Sequence, residues 1–318
     1  MSVQILLSTY NGAQYLRDQL DSIVQQSYGE WSLLVRDDGS NDETLDILEE
    51  YRSRFPDRIE ILETEHERLG ACQSFARLLS RSTSPYVMFC DQDDVWKSDK
   101  VEQALGAIKQ FEQDHDGPIL VHTDMTVVDE RLNLIDNSFW NYQGISGEDC
   151  RLSRILTHNN VTGCTCIMNA RMRSEALPIP AEAIMHDWWI ALVASINGGL
   201  RGIPSCLQLY RQHANNVVGA FRYQGMFNKV FNASRSRRMI EETMAQARAL
   251  LWYRQEKMTG VQKRMVDDYG RLLYRGRIHR MVTLLRHRFS KAGLMRNVMF
   301  VILILLAKKE REGHRYEG

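Results

Sequence analysis

No sign of charge dominates this chain: 40 lysines and arginines stand against 40 aspartates and glutamates, for a formal net charge of zero. Without a global field, the chain has no means of gathering nucleic acid over its surface, and none is expected as a partner. No CxxC pair occurs among Cys72, Cys90, Cys150, Cys164, Cys166 and Cys206, and several of them lie inside apolar runs. Reduced thiols of a cytosolic protein fit this better than a disulfide framework or a zinc site. The N-terminal stretch MSVQILLSTYNG has no basic segment ahead of its apolar run and no small-residue cleavage site, so no signal peptide is expected. A bilayer crossing needs about 20 apolar residues, and the one long apolar run, Val298 to Ala307, is too short alone. No GxGxxG follows the first strand-like segment and no Walker lysine motif appears, which disfavours a dinucleotide site and a P-loop. Internal repeats and low-complexity tracts are also missing. The length, 318 residues, allows one large domain or two smaller ones around a sizeable core.

What is present is alternation. Val3 to Leu7 reads as a buried strand closed by Asn11-Gly12, and Leu16, Leu20, Ile23 and Val24 then share one helical face. Trp31 to Val35 is a second strand. Ser40 followed by Glu43 predicts a capping box for a helix with Leu45, Leu48 and Tyr51 on its apolar face. Residues 59–62 form a third strand, 71–81 a helix, 86–90 a fourth strand and 100–113 a fourth helix. Repeated β-α units predict an α/β fold with a mostly parallel sheet between helices. Further strands are expected at 119–122, 164–168 and 207–210, with a helix at 187–196. Beyond about Phe221 the chain turns basic and helical, and a boundary is placed there.

Ligands of open α/β sheets bind beyond the carboxyl ends of the strands. Three polar clusters fall at such ends: Ser8-Thr9-Tyr10-Asn11, Asp37-Asp38-Gly39-Ser40 and Asp91-Gln92-Asp93-Asp94. If the strands are neighbours, the clusters line one crevice. Adjacent carboxylates repel, so a site that keeps them together usually supplies a cation. Mg²⁺ or Mn²⁺ takes oxygen ligands and often binds through one or two carboxylates plus substrate phosphates, and Asp91 and Asp93 can converge on one such ion. The plainer alternative is a solvated turn with an acidic N-cap ahead of Val95 and Trp96. Asp37 and Asp38 have the same two readings: turn chemistry, or acceptors for a nucleobase N–H or ribose hydroxyls. Tyr10 is a core aromatic or a surface on which a base stacks.

In their order and separation, Leu7-Ser8-Thr9-Tyr10-Asn11-Gly12, Val35-Arg36-Asp37-Asp38-Gly39-Ser40-Asn41-Asp42 and Phe89-Cys90-Asp91-Gln92-Asp93-Asp94 resemble the family 2 glycosyltransferases, over roughly residues 1–215. MHDWW (Met185 to Trp189) and YRQHANNVVG (Tyr210 to Gly219) resemble the rhamnosyltransferase-like branch. The resemblance implies a GT-A fold: a Rossmann-like mixed sheet in residues 1–220, with a nucleotide-sugar half to about 115 and an acceptor half after it. A helical C-terminal region, 221–318, would follow. It implies an inverting, metal-dependent transfer of rhamnose or a related deoxyhexose. The donor would be a dTDP-sugar, with a UDP-sugar as alternative, and the acceptor a glycan or lipid-linked glycan of surface polysaccharide. By the same carry-over, Ser8, Tyr10 and Asn11 line the nucleotide pocket. Asp38, or Asp37, contacts the pyrimidine. Asp91 and Asp93 hold the metal and face the donor, with Asp94 adjacent. Asp187 takes the place of the catalytic base, and His213 that of a histidine reaching the metal or diphosphate. One departure stands out: the base often follows a glutamate in this family, and here it follows His186.

The chemistry is coherent with that carry-over. Transfer from a nucleoside diphosphate needs a neutralised leaving group, a base for the acceptor hydroxyl and in-line placement. Paired carboxylates across a glycosidic bond would instead suit a hydrolase. Asp187 also reads as a helix N-cap, His213 as an ordinary buried histidine, and Gly163 as a close-approach or a turn residue. Two other functions remain open at this level. A sugar nucleotidyltransferase would call for a Gly-rich basic loop where Thr9 to Gln14 has one glycine and no cation. A non-catalytic carbohydrate-binding protein would not need the acidic clusters, Asp187 and His213 together. In the C-terminal region, Arg286, Arg288, Lys291 and Arg296 precede the 298–307 run, and Lys308, Lys309 and Arg311 follow it. Such a run suits either the surface of an anionic membrane, which would put a cytoplasmic protein on the inner face of the cell membrane, or packing on its own domain or in a homodimer.

Overall fold

The structure, a computed structural model, describes residues 2–63, 68–213 and 233–308. The β-α alternation runs β1 (Val3–Thr9), α1 (Ala13–Val24), β2 (Trp31–Asp37), α2 (Thr44–Arg54), β3 (Ile59–Ile61), α3 (Gly70–Arg81), β4 (Tyr86–Cys90), β5 (Val95–Trp96) and α4 (Lys100–Glu112). Then come β6 (Leu120–Val128), β7 (Leu134–Asp136), α5 (Phe139–Gln143), α6 (Leu152–Ile155), β8 (Cys166–Asn169), α7 (Ala170–Ala176), α8 (His186–Ile196) and β9 (Leu200–Arg211). Four helices complete the described chain: α9 (Ala233–Arg254), α10 (Gly260–Gly270), α11 (Arg277–His287) and α12 (Leu294–Leu306). The domain boundary expected near Phe221 lies outside the described residues.

The sheet has the order β3-β2-β1-β4-β8-β6-β9-β5, with β7 added on β6. Strands β3, β2, β1 and β4 are mutually parallel; β8 is antiparallel to both of its neighbours, and β6 and β9 are parallel. The chain proceeds from β1 to β2 on one side, while β4 lies on the other. The ends of β2, β1 and β4 therefore open on one switch point, where crevices form in such sheets.

Strand alternation divides the core in two. Val3, Ile5 and Leu7 of β1, with Met88 and Cys90 of β4, pack against α1, α2 and α4. Leu6, Leu34, Val87 and Phe89 face the opposite layer, where α3 and α8 lie. Nearly every residue of α8 is buried, which matches its sequence, apolar on all sides. Ile240, Met244 and Leu250 of α9 belong to the same apolar cluster as Leu6 and Trp189.

Several local expectations change. Ser40 and Glu43 form no capping box, because the Ser40 hydroxyl is engaged by Asn11 N–H and Asp37. Leu45 is exposed, and Ile47 takes its place on the buried face of α2. Val95 and Trp96 do not open a helix; they pair with β9. Residues 163–165 form a 3-10 turn ahead of β8. β9 starts seven residues before Leu207. The polar break at Pro204 that hides its first part is accommodated by a register shift against β6, where Ile203 pairs with Thr123 and Cys206 with Asp124.

Candidate active site

Hydrogen bonds join the three strand-end clusters. Thr9 Oγ1 donates to Asp37 Oδ1 at 2.8 Å, and Asn11 N–H donates to Ser40 Oγ at 2.8 Å while its Oδ1 accepts from Asn41 N–H. Gln92 clasps Tyr10: its Oε1 accepts from Tyr10 N–H at 2.8 Å and its Nε2 donates to Tyr10 O at 3.0 Å. A Cβ on Gly12 would lie 2.3 Å from Gln92 Oε1, so this clasp requires glycine there. The Arg68 guanidinium lies 3.9 Å above the Tyr10 ring, so one face of that ring carries a cation. Ser8 lies beside Arg36 in the β1–β2 register.

Both aspartates of the second cluster are buried and hydrogen-bonded within the protein. Asp37 Oδ2 accepts from Gly39 and Ser40 N–H, closing the turn. Asp38 accepts from the Arg36 guanidinium and from Leu69 and Gly70 N–H at 2.7 Å each, so it holds the N-terminus of α3. Burial pushes its pKa up, but these donors outweigh burial and hold it below the ordinary carboxylate value.

The third cluster lies among internal cations that sequence reasoning missed. Lys100, the first residue of α4, is buried; its Nζ donates to Cys164 O at 2.7 Å and to Gln208, and lies 3.7 Å from the Trp96 ring centroid. A lysine opening a helix runs against the dipole, a faint signal that could have marked it. Buried Arg211 donates to Asp93 O at 2.8 Å and to Asp18 at 2.7 Å, and its N–H reaches Asp94 Oδ1 at 3.1 Å. Asp94 is fully buried and also accepts from Gln208 Nε2 at 2.7 Å. Burial, then the neighbouring charges of Asp93 and Asp91, push its pKa well up. Burial and Asp93 push Asp91 up likewise. Asp93 instead meets His213, whose Nε2 lies 2.8 Å from Asp93 Oδ2 and whose ring packs on Tyr15.

Among the described residues, one group of three has the spacing of a cation site. Asp91, Asp94 and Cys164 offer ligand atoms within 4.8 Å of one another. That set fits a hard divalent ion poorly, because Asp94 is already held by Gln208 and Arg211, Lys100 lies beside it, and burial keeps the Cys164 thiol protonated. The expected ligands Asp91, Asp93 and His213 do not form such a group: Asp93 pairs with His213 at 2.8 Å while Asp91 lies with Asp94 and Cys164, so a divalent ion on Asp91 or Asp93 would draw its other oxygen ligands from the donor's phosphates.

Asp187 is in the first turn of α8, but the N-cap is Met185. Its Oδ1 accepts from Trp188 N–H at 2.6 Å and Asn159 Nδ2 at 3.2 Å, and its Oδ2 from Gly163 N–H at 2.9 Å. Burial pushes its pKa to about 6 despite these donors. The turn at 163–165 thus links both halves of the site: Gly163 holds Asp187, and Cys164 holds Lys100 beneath the acidic cluster. A Cβ on Gly163 would approach His186 Nε2 to 2.8 Å. His186, where a glutamate was the family habit, is a core ring packed on Phe75 and Phe89, kept neutral by burial with a pKa lowered to about 3.

The model of glycosyl transferase family 2 matches residues 4–173, which contain all three strand-end clusters. The chain belongs to that family. It is a glycosyltransferase, which sets aside the nucleotidyltransferase and non-catalytic readings. Among curated proteins it is 27% identical over 274 residues to the dTDP-rhamnosyl transferase RfbG of Shigella flexneri, covering 82% of this chain and 85% of that one. It is also 27% identical over 219 residues to the putative teichuronic acid biosynthesis glycosyltransferase TuaG of Bacillus subtilis, covering 68% and 81%. Among solved structures it resembles S. aureus TarS 1-349 in complex with UDP-GlcNAc, with a TM-score of 0.57 at 15% identity over 90% of this chain and 73% of that one. The mannosyltransferase PcManGT from Pyrobaculum calidifontis, in complex with GDP-Man and Mn²⁺, gives 0.53 at 16% identity, over 94% and 78%. At such identities these neighbours speak for the fold alone, which is of the GT-A type.

Proposed function

We propose that this enzyme moves a deoxyhexose, rhamnose or a close relative, from a dTDP donor to a hydroxyl of a glycan or lipid-linked glycan during surface polysaccharide synthesis, with inversion at the anomeric carbon. The observation that carries the mechanism is the position of Asp187, a buried carboxylate of raised pKa joined through one turn to the acidic cluster beside the donor crevice. Asp187 Oδ2 accepts from Gly163 N–H, and the acceptor proton would go to this carboxylate. Asn159 and the α8 N-terminus orient the carboxylate. As the acceptor oxygen attacks the anomeric carbon, its proton passes to Asp187 and the bond to the diphosphate breaks on the opposite face. One displacement with one base inverts the centre.

Donor binding falls to residues 1–115 and acceptor binding to 116–220. Ser8, Tyr10, Asn11 and Asp38, with Asp37 behind it, line the nucleotide end. Asp91 or Asp93, together with the donor's phosphates, would hold Mg²⁺ or Mn²⁺, which when bound supplies positive charge to the leaving diphosphate. The 27% relative that is a dTDP-rhamnosyl transferase supports the donor choice over a UDP-sugar.

Asp187→Asn tests the reading. Single-turnover transfer should fall roughly 10² to 10⁴-fold, the range of a positioned base. Donor affinity, read with Mn²⁺ by thermal shift for dTDP- and UDP-sugars, should change little. Unchanged transfer would remove Asp187 from the mechanism, and a shift with UDP-sugars alone would replace the donor.

A further inference from the structure

Of the fifteen large apolar side chains exposed among the described residues, nine lie on α11 and α12. On α11 they are Ile278, Met281, Val282 and Leu285, spaced three and four apart and so on one face. On α12, Leu294, Met295, Val298, Ile302 and Leu306 share a face opposite buried Phe300 and Ile304. Buried Arg280 fastens the two helices: its Nη1 donates to Ile304 O and Ala307 O at 2.6 and 2.7 Å, and its Nη2 to Leu273 O at 2.8 Å. The apolar stripes are therefore held outward.

Charge decides what covers them. From Asp268 to Glu310 the chain has ten lysines and arginines and no intervening acidic residue. At 100° per residue, exposed Arg277 and Arg286 lie about a quarter turn to either side of the α11 stripe midline. We propose that α11 and α12 form a hairpin that docks flat on an anionic lipid surface. The apolar stripes enter the boundary of headgroups and acyl chains, and the flanking arginines meet lipid phosphates. Spanning is excluded for these elements, since no described helix is long and apolar enough to cross a membrane. A second copy fits less well, because a two-fold pairing through this face would bring like cations together.

The hairpin also touches the catalytic half. Ser290 O, between α11 and α12, accepts from Arg154 Nη1 at 2.9 Å and Thr157 Oγ1 at 2.7 Å, two residues before Asn159, the partner of Asp187. If the acceptor reading above holds, docking brings the acceptor side of the site to the surface where a lipid-linked glycan resides.

The test needs neither donor nor acceptor, so it stands apart from that reading. The full chain should sediment with phosphatidylcholine vesicles containing phosphatidylglycerol, not with phosphatidylcholine alone, and added salt should release it. Arg277→Gln with Arg286→Gln should weaken binding about 25-fold, at roughly fivefold per surface cation. Leu285→Asp with Leu294→Asp should abolish binding while circular dichroism stays unchanged. Ile278→Ser, at a position 83% exposed, should weaken it without risk to the fold. The proposal is overturned if the full chain ignores anionic vesicles or if the apolar variants bind as tightly as wild type. It is also overturned if the full chain is a dimer without vesicles and the aspartate variant a monomer, since a second copy would then cover the face.

Discussion

At the residue scale, the site sets its acidities by burial. Asp187 has a pKa raised to about 6, with desolvation as the leading cause. A base acts only when deprotonated, so the sign follows: below about pH 6 the carboxyl holds its proton and transfer slows. Single-turnover rates should lose about tenfold per pH unit on that acid limb and level off above it. A pH profile from 4.5 to 8 at saturating donor checks this; a limb near the ordinary carboxylate value, or none, would separate the base from Asp187. Part of this chemistry was legible. The motifs gave Asp93 and His213 each a place beside the metal, and the structure puts them 2.8 Å apart; Asp187 as base rests on the proposal above. Lys100 and Arg211 were not legible, because their contacts join residues more than 60 positions apart, Lys100 to Cys164 and Arg211 to Asp93. A lone lysine in a helical pattern looks like any solvated one. The like charges at 91–94 therefore have an answer within the fold: burial and mutual repulsion push Asp94 and Asp91 toward their neutral forms against the pull of Lys100, and Asp93 pairs with His213.

At the element scale, strand ends act as fasteners before they act on any ligand. Asp38 holds a buried guanidinium and two N–H groups of the α3 N-terminus. Asp38→Ala leaves that charge without its carboxylate, so stability should fall by about 3–5 kcal/mol. Urea unfolding would show this without any nucleotide. If stability is unchanged while donor binding is lost, the carboxylate serves the nucleotide alone. Strands β1, β2 and β4 were legible because each carries an unbroken apolar run, Ile5 to Leu7, Leu33 to Val35 and Tyr86 to Cys90, as strands covered on both faces do. The polar breaks of β6 and β9 were not. Buried Asp124 inside β6 accepts from its neighbour Met125 N–H and from Trp140 N–H, a partner 16 residues on that no local pattern announces.

At the scale of the whole molecule, the C-terminal helices are part of the main core. Gln246 Oε1 of α9 accepts from Ile184 N–H just ahead of α8, and Arg254 donates to Glu175 O and Leu177 O. Leu250, fully buried, lies in the same cluster as Phe89 beneath the acidic turn. The basic, helical composition past residue 221 marked a change of secondary structure, and a change of composition alone cannot tell a separate fold from a layer laid on the first. The shared apolar surface favours a layer, so the C-terminal helices and the sheet are expected to unfold together. Leu250→Ala removes side-chain volume from that junction and should destabilise by about 2–5 kcal/mol. In calorimetry the loss should move one transition that carries the whole heat of unfolding, and a donor added with Mn²⁺ should move the same transition upward. Two transitions would overturn this if Leu250→Ala lowered one and the donor raised only the other. Residues 221–318 would then fold independently of the half that holds the donor.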